Sequence, residues 1–348
     1  FITHDFGVVA DIADRVIVMQ TGEIVEAGSA DDVLLKPQHP YTRSLIDAIP
    51  RLTQYEETLS PEREPVMSVE GLCKTFTTGS GTLFGKRRVV KAVQNVSFEL
   101  FAGETIGIVG ESGSGKSTVG RCLVRLIDPD EGRVMVEGAD IAHMSGVGLR
   151  EQRRKVQMIF QDPYASLNPR MTVYSTLGEA IHQRHPKLRG SDLDDKIAAL
   201  MERVGLDQRF MKKYPHEFSG GQRQRIAIAR ALAPEPKLVI ADEPVSALDV
   251  SIQSQILNLL LELRKDLGLT MIFISHDLSV VRYLADNIAV MYKGQIVEYG
   301  EAEEVFNNAQ HDYTQKLLHA IPRFQQSASS RPTPLPHSWV TLTKTSVP

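Results

Sequence analysis

The chain has 348 residues, a formal net charge of −4 and 42% hydrophobic residues, so it is long enough for one large or two ordinary domains. The near balance of charge argues against general nucleic-acid binding, and no apolar run approaches the length of a membrane span. The two cysteines, Cys73 and Cys122, show no metal-ligand spacing and indicate a reducing compartment.

The chain opens with a segment that recurs later. Residues 1–51 align without a gap to residues 273–323, and about half of the aligned positions are identical. The matched motifs include Phe1-Ile-Thr-His4-Asp5 with Phe273-Ile-Ser-His276-Asp277, and His39-Pro-Tyr41-Thr42 with His311-Asp-Tyr313-Thr314. The period is too long for a solenoid. We therefore expect residues 1–51 to be the C-terminal remnant of a first domain, most of which is absent from a sequence that begins at Phe1.

Each copy is predicted to contain a short strand ending in His-Asp, a helix, a two-stranded turn and two short helical segments. The first copy is too small to be stable alone, so we expect it to be loosely held unless it docks on other parts of the protein. Residues 52–66 are charged and broken by prolines, which predicts a linker. Residues 325–348 are rich in Ser, Pro and Thr and are expected to be disordered.

Residues 67–324 are predicted to form one complete domain. Short apolar strands such as Thr105–Val109, Leu238–Ala241 and Leu269–Ile274 alternate with helical segments, which is typical of a mainly parallel α/β core. A polar, helical block at about 163–232 interrupts this alternation and is expected to be an inserted subdomain.

A glycine-rich stretch follows the first of these strands. Its residues are Gly110, Glu111, Ser112, Gly113, Ser114, Gly115, Lys116, Ser117 and Thr118. A strand, a glycine loop and a helix in this order make a phosphate cradle, in which backbone N–H groups and the helix N-terminus face the phosphate oxygens. Lys116 would reach the β- and γ-phosphates, and the Ser117 hydroxyl would ligate Mg²⁺. The alternative is a chance glycine turn.

Further motifs follow in a fixed order, and together they carry a resemblance. They are Phe160-Gln161-Asp162, Ser219-Gly220-Gly221-Gln222, Asp242-Glu243-Pro244, Ser246-Ala-Leu248-Asp249 and Ser275-His276. In this order they resemble the ATP-binding-cassette family over roughly 66–324, with the Ser-Gly-Gly-Gln signature separating it from other phosphate-loop ATPases. The resemblance implies a phosphate-loop NTPase fold with a RecA-like core, an antiparallel β subdomain and an inserted helical subdomain, and it implies ATP and Mg²⁺ as cofactors.

The resemblance also implies roles for individual side chains. Asp242 would hold Mg²⁺ through its hydration shell, Glu243 would polarise the attacking water, and His276 would contact the γ-phosphate. Gln161 would touch Mg²⁺ and sense the transporter, and Phe76 would stack on adenine. The alternatives are a solvated turn for the two carboxylates, an ordinary core or surface role for the histidine and the glutamine, and core packing for Phe76.

The signature implies that the site is shared between domains. Ser219, Gly220, Gly221 and Gln222 open a helix whose N-terminus, in this family, faces the γ-phosphate held by an opposite domain, and Asp249 would line that interface. The chain would then need a second nucleotide-binding domain, supplied by the missing first half, a homodimer or an added partner. His4 would belong to an incomplete site and is expected to be inert.

Three stretches look like the importer ATPases for dipeptides, oligopeptides, nickel and glutathione, including the fused glutathione-importer type. They are residues 161–170, residues 214–219 and the His-x-Tyr-Thr motif of each copy. This likeness implies two transmembrane permease subunits, a periplasmic substrate-binding protein, and a peripheral location on the cytoplasmic face of the inner membrane. Two alternatives stay open: a soluble tandem ATPase acting on ribosomes or DNA, and a truncated fragment that binds ATP without turnover.

Overall fold

The computed structural model describes residues 2, 3, 9, 10, 12–47, 64–78 and 88–320. The predictions for His4, for most of the 52–66 linker and for the 325–348 tail therefore concern residues outside this set. Within the described residues, the strands are β1 (Arg15–Gln20), β2 (Glu23–Ser29), β3 (Pro65–Thr78), β4 (Arg88–Phe101), β5 (Thr105–Val109), β6 (Glu131–Val136), β7 (Ala139–Asp140), β8 (Val156–Ile159), β9 (Leu238–Asp242), β10 (Thr270–Ser275), β11 (Asn287–Tyr292) and β12 (Gln295–Glu301).

The α-helices of the same residues are α1 (Ala30–Leu35), α2 (Pro40–Asp47), α3 (Lys116–Leu123), α4 (Gly146–Lys155), α5 (Pro163–Ser166), α6 (Val173–Arg184), α7 (Ser191–Arg203), α8 (Gly220–Leu232), α9 (Val250–Leu267), α10 (Leu278–Leu284), α11 (Ala302–Asn307) and α12 (Asp312–His319). In the described part of the chain, every helix is too short or too polar to span a lipid bilayer.

A six-stranded sheet forms the centre of the protein, with the strand order β12-β11-β5-β10-β9-β8. Its strands run parallel except for β12, which pairs antiparallel with β11. Every residue of β5, β9 and β10 is buried, as expected for parallel strands that are covered on both faces. Successive side chains of β10 point to opposite faces, so Phe273 and Ile274 belong to two different hydrophobic clusters.

The two faces of this sheet are covered by different layers. The cluster that contains Ile274 includes side chains from α3 and from the antiparallel sheet β4-β3-β6-β7. The cluster that contains Phe273 includes side chains from the helices α6 to α10. The chain is therefore an α/β protein with a mainly parallel core, an antiparallel β layer and a helical insertion, which confirms the predicted fold class.

Some boundaries differ from the sequence-based ones. Strand β3 begins at Pro65, so the last residues assigned to the linker belong to this strand. The helix after the glycine-rich loop ends at Leu123. Two residues later, Arg125 has φ +57°, a left-handed conformation that no α-helix can contain. The inserted helices run from Pro163 to Leu232, close to the expected limits.

The N-terminal copy of the repeat has the same local structure as the C-terminal copy. Strands β1 and β2 form an antiparallel hairpin, with an irregularity between Val18 and Met19 that recurs in β11 between Val290 and Met291. In this copy, α2 lies against α9 of the following domain. The described residues of the N-terminal copy thus dock on the complete domain, which is the condition that we set for their order.

Candidate functional site

The glycine-rich loop connects β5 in the middle of the sheet to α3, at the carboxyl end of the parallel strands. A Cβ atom on Gly110 would lie 2.2 Å from the Met291 carbonyl oxygen, and one on Gly115 would lie 2.2 Å from the Ala92 carbonyl oxygen. Both glycines also have positive φ, at 149° and 106°. These two positions therefore admit only glycine, and the chance-turn alternative does not explain such a closely packed loop.

Lys116 is buried at the start of α3 and folds back over the loop. Its ammonium group donates to the carbonyl oxygens of Gly110 at 2.7 Å and of Glu111 at 2.9 Å. Burial lowers the pKa of Lys116, whereas the nearby carboxylates of Glu243 and Asp242 raise it. The lysine is thus held as part of the loop, with its charge directed at the space that the loop encloses.

The predicted carboxylates lie beside the loop. Asp242 ends β9, and its Oδ1 accepts a hydrogen bond of 2.8 Å from the Ser117 hydroxyl. Burial raises the pKa of Asp242, while the Ser117 hydrogen bond lowers it. A hydroxyl and a carboxylate at this distance form a set of oxygen donors of the kind that Mg²⁺ prefers. Ser117 and Asp242, two of the three residues that the resemblance assigned to the metal, therefore fit it.

Glu243 lies at the centre of a polar group at the mouth of the site. Its Oε2 accepts a hydrogen bond of 3.0 Å from the Gln161 side chain and lies 3.3 Å from His276 Nδ1. Its φ is +47°, which is strained for a glutamate, and its backbone N–H is fixed to the Ile274 carbonyl oxygen. The sheet thus holds Glu243, with a strained backbone, next to the loop. Gln161 and His276, which were assigned with it to ATP hydrolysis, lie beside its carboxylate.

These residues line a cleft of about 820 Å³. Its lining includes Glu111, Ser112, Gly113, Gly115, Lys116, Ser117, Thr118, Gln161, Glu243 and His276. The cleft also has lining residues that the sequence analysis did not single out: Val90, Lys91, Ala92 and Gln94 on β4, and Lys293 and Leu317 from the second copy of the repeat. The repeat could have indicated Lys293 and Leu317, because its second copy, residues 273–323, also contains His276.

Phe76 is half-buried on β3 and is not among the described residues that line the cleft. Its strand partner is Val90, which does line it. The Lys74 ammonium lies 5.8 Å from the centre of the Phe76 ring. The proposed stacking of Phe76 on adenine therefore stays a prediction. To make that contact, the Phe76 ring would have to reach the side of the cleft that Val90 lines.

The signature residues lie in the helical insertion and are not among the described residues that line the cleft. Ser219 is the N-cap of α8: its hydroxyl accepts from the Gln222 N–H at 3.4 Å, and its own N–H donates to Gln222 Oε1 at 3.0 Å. This capping box gives Ser219 and Gln222 a structural role that the sequence analysis missed. A Cβ on Gly221 would lie 2.5 Å from the Ile252 side chain, so this glycine allows α8 to approach α9 closely.

Asp249, which the resemblance assigned with the signature to a domain interface, and Arg223, which follows the signature, differ in exposure. Asp249 is exposed at the N-cap of α9, outside the cleft. Arg223, one residue after the signature, is buried and donates to the Pro215 carbonyl oxygen at 2.8 Å. Its guanidinium also stacks over the ring of Tyr164, 3.6 Å away, three residues after Gln161. The signature helix is thus in contact with the segment that begins in the cleft.

Comparison with protein families gives two matches. The family described as ABC transporter matches residues 93–246, and the family described as oligopeptide/dipeptide transporter, C-terminal region, matches residues 25–88 and 297–342. The second family therefore covers part of each copy of the internal repeat. Together the matches extend from the first copy almost to the end of the chain.

Several relatives share the name glutathione import ATP-binding protein GsiA. That of Escherichia coli strain K12 is 50% identical, and the alignment covers 92% of this chain and 55% of that protein. That of Pectobacterium atrosepticum is 46% identical, and the alignment covers 95% of this chain and 57% of that protein. The chain therefore spans about half the length of these relatives.

Solved structures of similar proteins confirm the fold. The ATP-binding cassette MJ0796, in a dimeric post-hydrolysis state bound to ADP and Pi, is 29% identical with a TM-score of 0.61, and the alignment covers 68% of this chain and 98% of that one. The structure of cbiO1 from Clostridium perfringens, part of the transporter complex cbiONQ, is 30% identical with a TM-score of 0.59. That alignment covers 71% of this chain and 92% of cbiO1.

Proposed function

This chain belongs to the ABC transporter family, and we propose that it binds and hydrolyses ATP as a subunit of an importer for peptides or related small solutes such as glutathione. The observation that carries the proposal is the polar group of Gln161, Glu243 and His276 at the mouth of the phosphate loop, in which Gln161 donates to Glu243 and His276 lies 3.3 Å from the same carboxylate oxygen. The relatives named for glutathione import support the choice of solute class. They give no support to the alternative of a ribosome- or DNA-acting ATPase.

The residues of the cleft would have different roles in ATP hydrolysis. The loop and Lys116 would bind and orient the β- and γ-phosphates. Glu243 would accept a hydrogen bond from the attacking water and direct it at the γ-phosphorus, and its strained backbone fixes the direction of that carboxylate. The His276 side chain is 57% exposed beside Glu243. It would contact the γ-phosphate and help to position the same water.

Mg²⁺ would be held by the Ser117 hydroxyl and, through water, by Asp242, with Gln161 as a further oxygen donor. When bound, it neutralises the charge that develops on the phosphate oxygens. Asp242 Oδ1 accepts a hydrogen bond from the Ser117 hydroxyl, with 2.8 Å between the two oxygens, and this orients the lone pairs of that hydroxyl. Burial raises the pKa of Asp242, and a bound cation would reverse this effect and keep the carboxylate ionised.

We further propose that ATP is enclosed between two such domains. Hydrolysis would need an anion-binding group on the open side of the cleft, and the N-terminus of α8 at Ser219 is suited to supply it to a facing domain. Asp249, exposed at the start of α9, would lie at the same interface. The second domain would come from another copy of residues 67–324 or from a longer parent protein that also contains a complete first domain.

The proposed permease contact is a groove between the core and the helical insertion. A cavity of about 450 Å³ there is lined by residues that include Leu126, Phe160, Met171 and Arg230. Its lining combines apolar side chains with the charged side chains of Arg153, Glu179 and Arg230. The groove begins next to Gln161, which would transmit occupancy of the cleft to a bound permease segment. Two permeases, a periplasmic binding protein and a location at the cytoplasmic face of the inner membrane complete the proposal.

Two substitutions test the assignment. Lys116→Ala should abolish binding of a fluorescent ATP analogue because it removes the phosphate-directed charge. Glu243→Gln should keep that binding but lower ATP turnover at least about 100-fold, since it removes only the group that polarises water. The exposed Glu262→Gln is the matched control and should change neither property.

Turnover should rise steeply with protein concentration if the site is completed by a second copy. Normal hydrolysis by Glu243→Gln would overturn the role of Glu243. ATP binding with no turnover at any concentration, even after a complete partner domain is added, would instead favour the fragment that binds ATP without hydrolysing it.

A further inference from the structure

The helix α12, in the region that matches the oligopeptide/dipeptide transporter C-terminal family, reaches the phosphate loop. The hydroxyl oxygen of Tyr313, on this helix, accepts a hydrogen bond of 3.0 Å from the backbone N–H of Glu111. Tyr313 is buried, and its ring lies against that of Tyr292 with centroids 4.2 Å apart. A residue 202 positions further along the chain is thus in direct contact with the second residue of the loop.

This contact acts on the same peptide unit that holds Lys116. The carbonyl oxygen of Gly110 accepts from the Lys116 ammonium at 2.7 Å, and the N–H of the next residue, Glu111, donates to Tyr313. Among the described residues every peptide bond is trans, so the carbonyl and the N–H of this unit point in opposite directions. Tyr313 on one side and Lys116 on the other therefore fix the orientation of a single peptide plane.

The base of α12 is itself fixed to the sheet. The carboxylate of Glu298, on β12, accepts from the N–H groups of Gln310 at 2.7 Å and of His311 at 3.1 Å. His311 Nδ1 in turn accepts from the Tyr313 N–H at 3.1 Å. The turn between β11 and β12 adds a second connection, because the Gly294 N–H donates to the Ser114 carbonyl oxygen at 2.9 Å.

The first copy of the repeat supplies an internal comparison. There Glu26 accepts from Gln38 at 2.7 Å and from His39 at 3.1 Å, and His39 accepts from the Tyr41 N–H at 3.2 Å. The His-x-Tyr-Thr motif therefore presents its tyrosine in the same way in both copies. The sequence contains one glycine-rich phosphate loop, however, and it is Tyr313 that touches it.

From these contacts we infer that Tyr313 is a positioning residue of the nucleotide site: its hydroxyl fixes the Gly110–Glu111 peptide, and thereby Lys116, in the orientation that binds phosphate. The inference rests on the proposed nucleotide-binding function. It assigns to the C-terminal region a positioning role in nucleotide binding within its own domain. Leu317, one turn beyond Tyr313 on α12, lines the same cleft and belongs to the same wall.

The test compares Tyr313→Phe with Tyr41→Phe in the full chain. Both changes remove a hydroxyl and keep the ring, but only the first should leave the Glu111 N–H without its partner. We expect the Kd for a fluorescent ATP analogue to rise about 3- to 10-fold in Tyr313→Phe, the effect of losing one hydrogen bond. Tyr41→Phe should bind like the wild type. Under conditions where the chain hydrolyses ATP, KM should rise while kcat is kept, because the group around Glu243 is not touched.

Amide hydrogen exchange of residues 110–115, measured without nucleotide, gives an independent readout. The loop should exchange faster in Tyr313→Phe than in the wild type, with unchanged exchange in the β9 and β10 strands. Equal exchange in the two proteins, or a Kd within twofold of wild type, would overturn the inference, as would an equal loss in Tyr41→Phe. If the variant does not fold, fast exchange of the Glu111 amide in the wild type would overturn it as well. Failure of the wild type to bind ATP would count against the proposed function. The hydrogen-exchange result, which is measured without nucleotide, would then be the test of the Tyr313 contact.

Discussion

The two copies of the repeat show how one sequence pattern behaves with and without its neighbours. Strands β1 and β2 have the same register as β11 and β12, and both hairpins turn through two residues with positive φ: Thr21 and Gly22 in one, Lys293 and Gly294 in the other. The interior of each copy is also the same, since Val33 and Val305 are both almost fully buried. The hairpin and the helices that follow it therefore have the same local structure in both copies.

The outer face of the hairpin differs. Strand β11 is paired with β5 and its Met291 is completely buried, whereas the corresponding Met19 on β1 is 57% exposed. Ile17 is 61% exposed, and its counterpart Ala289 is buried. Among the described residues β1 pairs with β2 alone. The same apolar pattern thus forms part of a core in one copy and a surface in the other, depending on whether a neighbouring strand is present.

The largest expected effect is on this face. Met291→Ala should lower the free energy of unfolding by about 2–5 kcal/mol because it opens a cavity between the sheet and the antiparallel layer. Met19→Ala should change it by no more than about 0.5 kcal/mol, as for other exposed side chains. Urea denaturation followed by circular dichroism measures both. A similar loss in the two variants would mean that β1 is covered in solution and would break the comparison.

The second prediction concerns a feature that the copies share. Glu298 and Glu26 each accept two backbone N–H groups from the turn before a helix, so Glu298→Gln and Glu26→Gln should each destabilise that turn by about 1–2 kcal/mol. Burial raises the pKa of both carboxyls. These hydrogen bonds and others together lower the pKa by more than burial raises it, so the net pKa lies below the ordinary value of 4.5.

The sign of the pH effect follows from that direction. Because the folded pKa lies below the unfolded one, the stabilisation is complete above about pH 4.5 and is lost as the pH falls through the folded pKa. Amide hydrogen exchange at Gln310 and at Gln38 should show this loss in the wild type, and the two glutamine variants should lack it. A pH response in only one copy would show that the two turns are not equivalent.

The sequence predicted the elements that depend on local patterns and left out those that depend on contacts between distant residues. The loop, the strand ending at Asp242 and the placement of His276 follow from apolar runs with polar residues at their ends. The contact between Tyr313 and Glu111 joins residues 202 positions apart, and no period or motif connects them. Gln222 shows a different limit, because one short motif satisfies both a capping box and a family signature. Phe76 shows a third, since strand register, and not residue type, decides which side chain faces a cleft.

The smallest expected effect comes from a helix cap that the copies do not share. In the first copy, Ser29 caps α1 by accepting from the Asp32 N–H at 3.1 Å. The corresponding residue, Glu301, has a similar extended backbone before α11 but makes no side-chain cap hydrogen bond. Glu301→Ser would place a hydroxyl three residues before Glu304, the spacing of a reciprocal capping box. It should raise the free energy of unfolding by about 0.5–1 kcal/mol, and Ser29→Ala should weaken α1 by a similar amount. Thermal denaturation measures the gain, and hydrogen exchange in residues 30–35 measures the loss. A destabilised Glu301→Ser variant would mean that the glutamate side chain stabilises α11 in a way that a hydroxyl cannot replace.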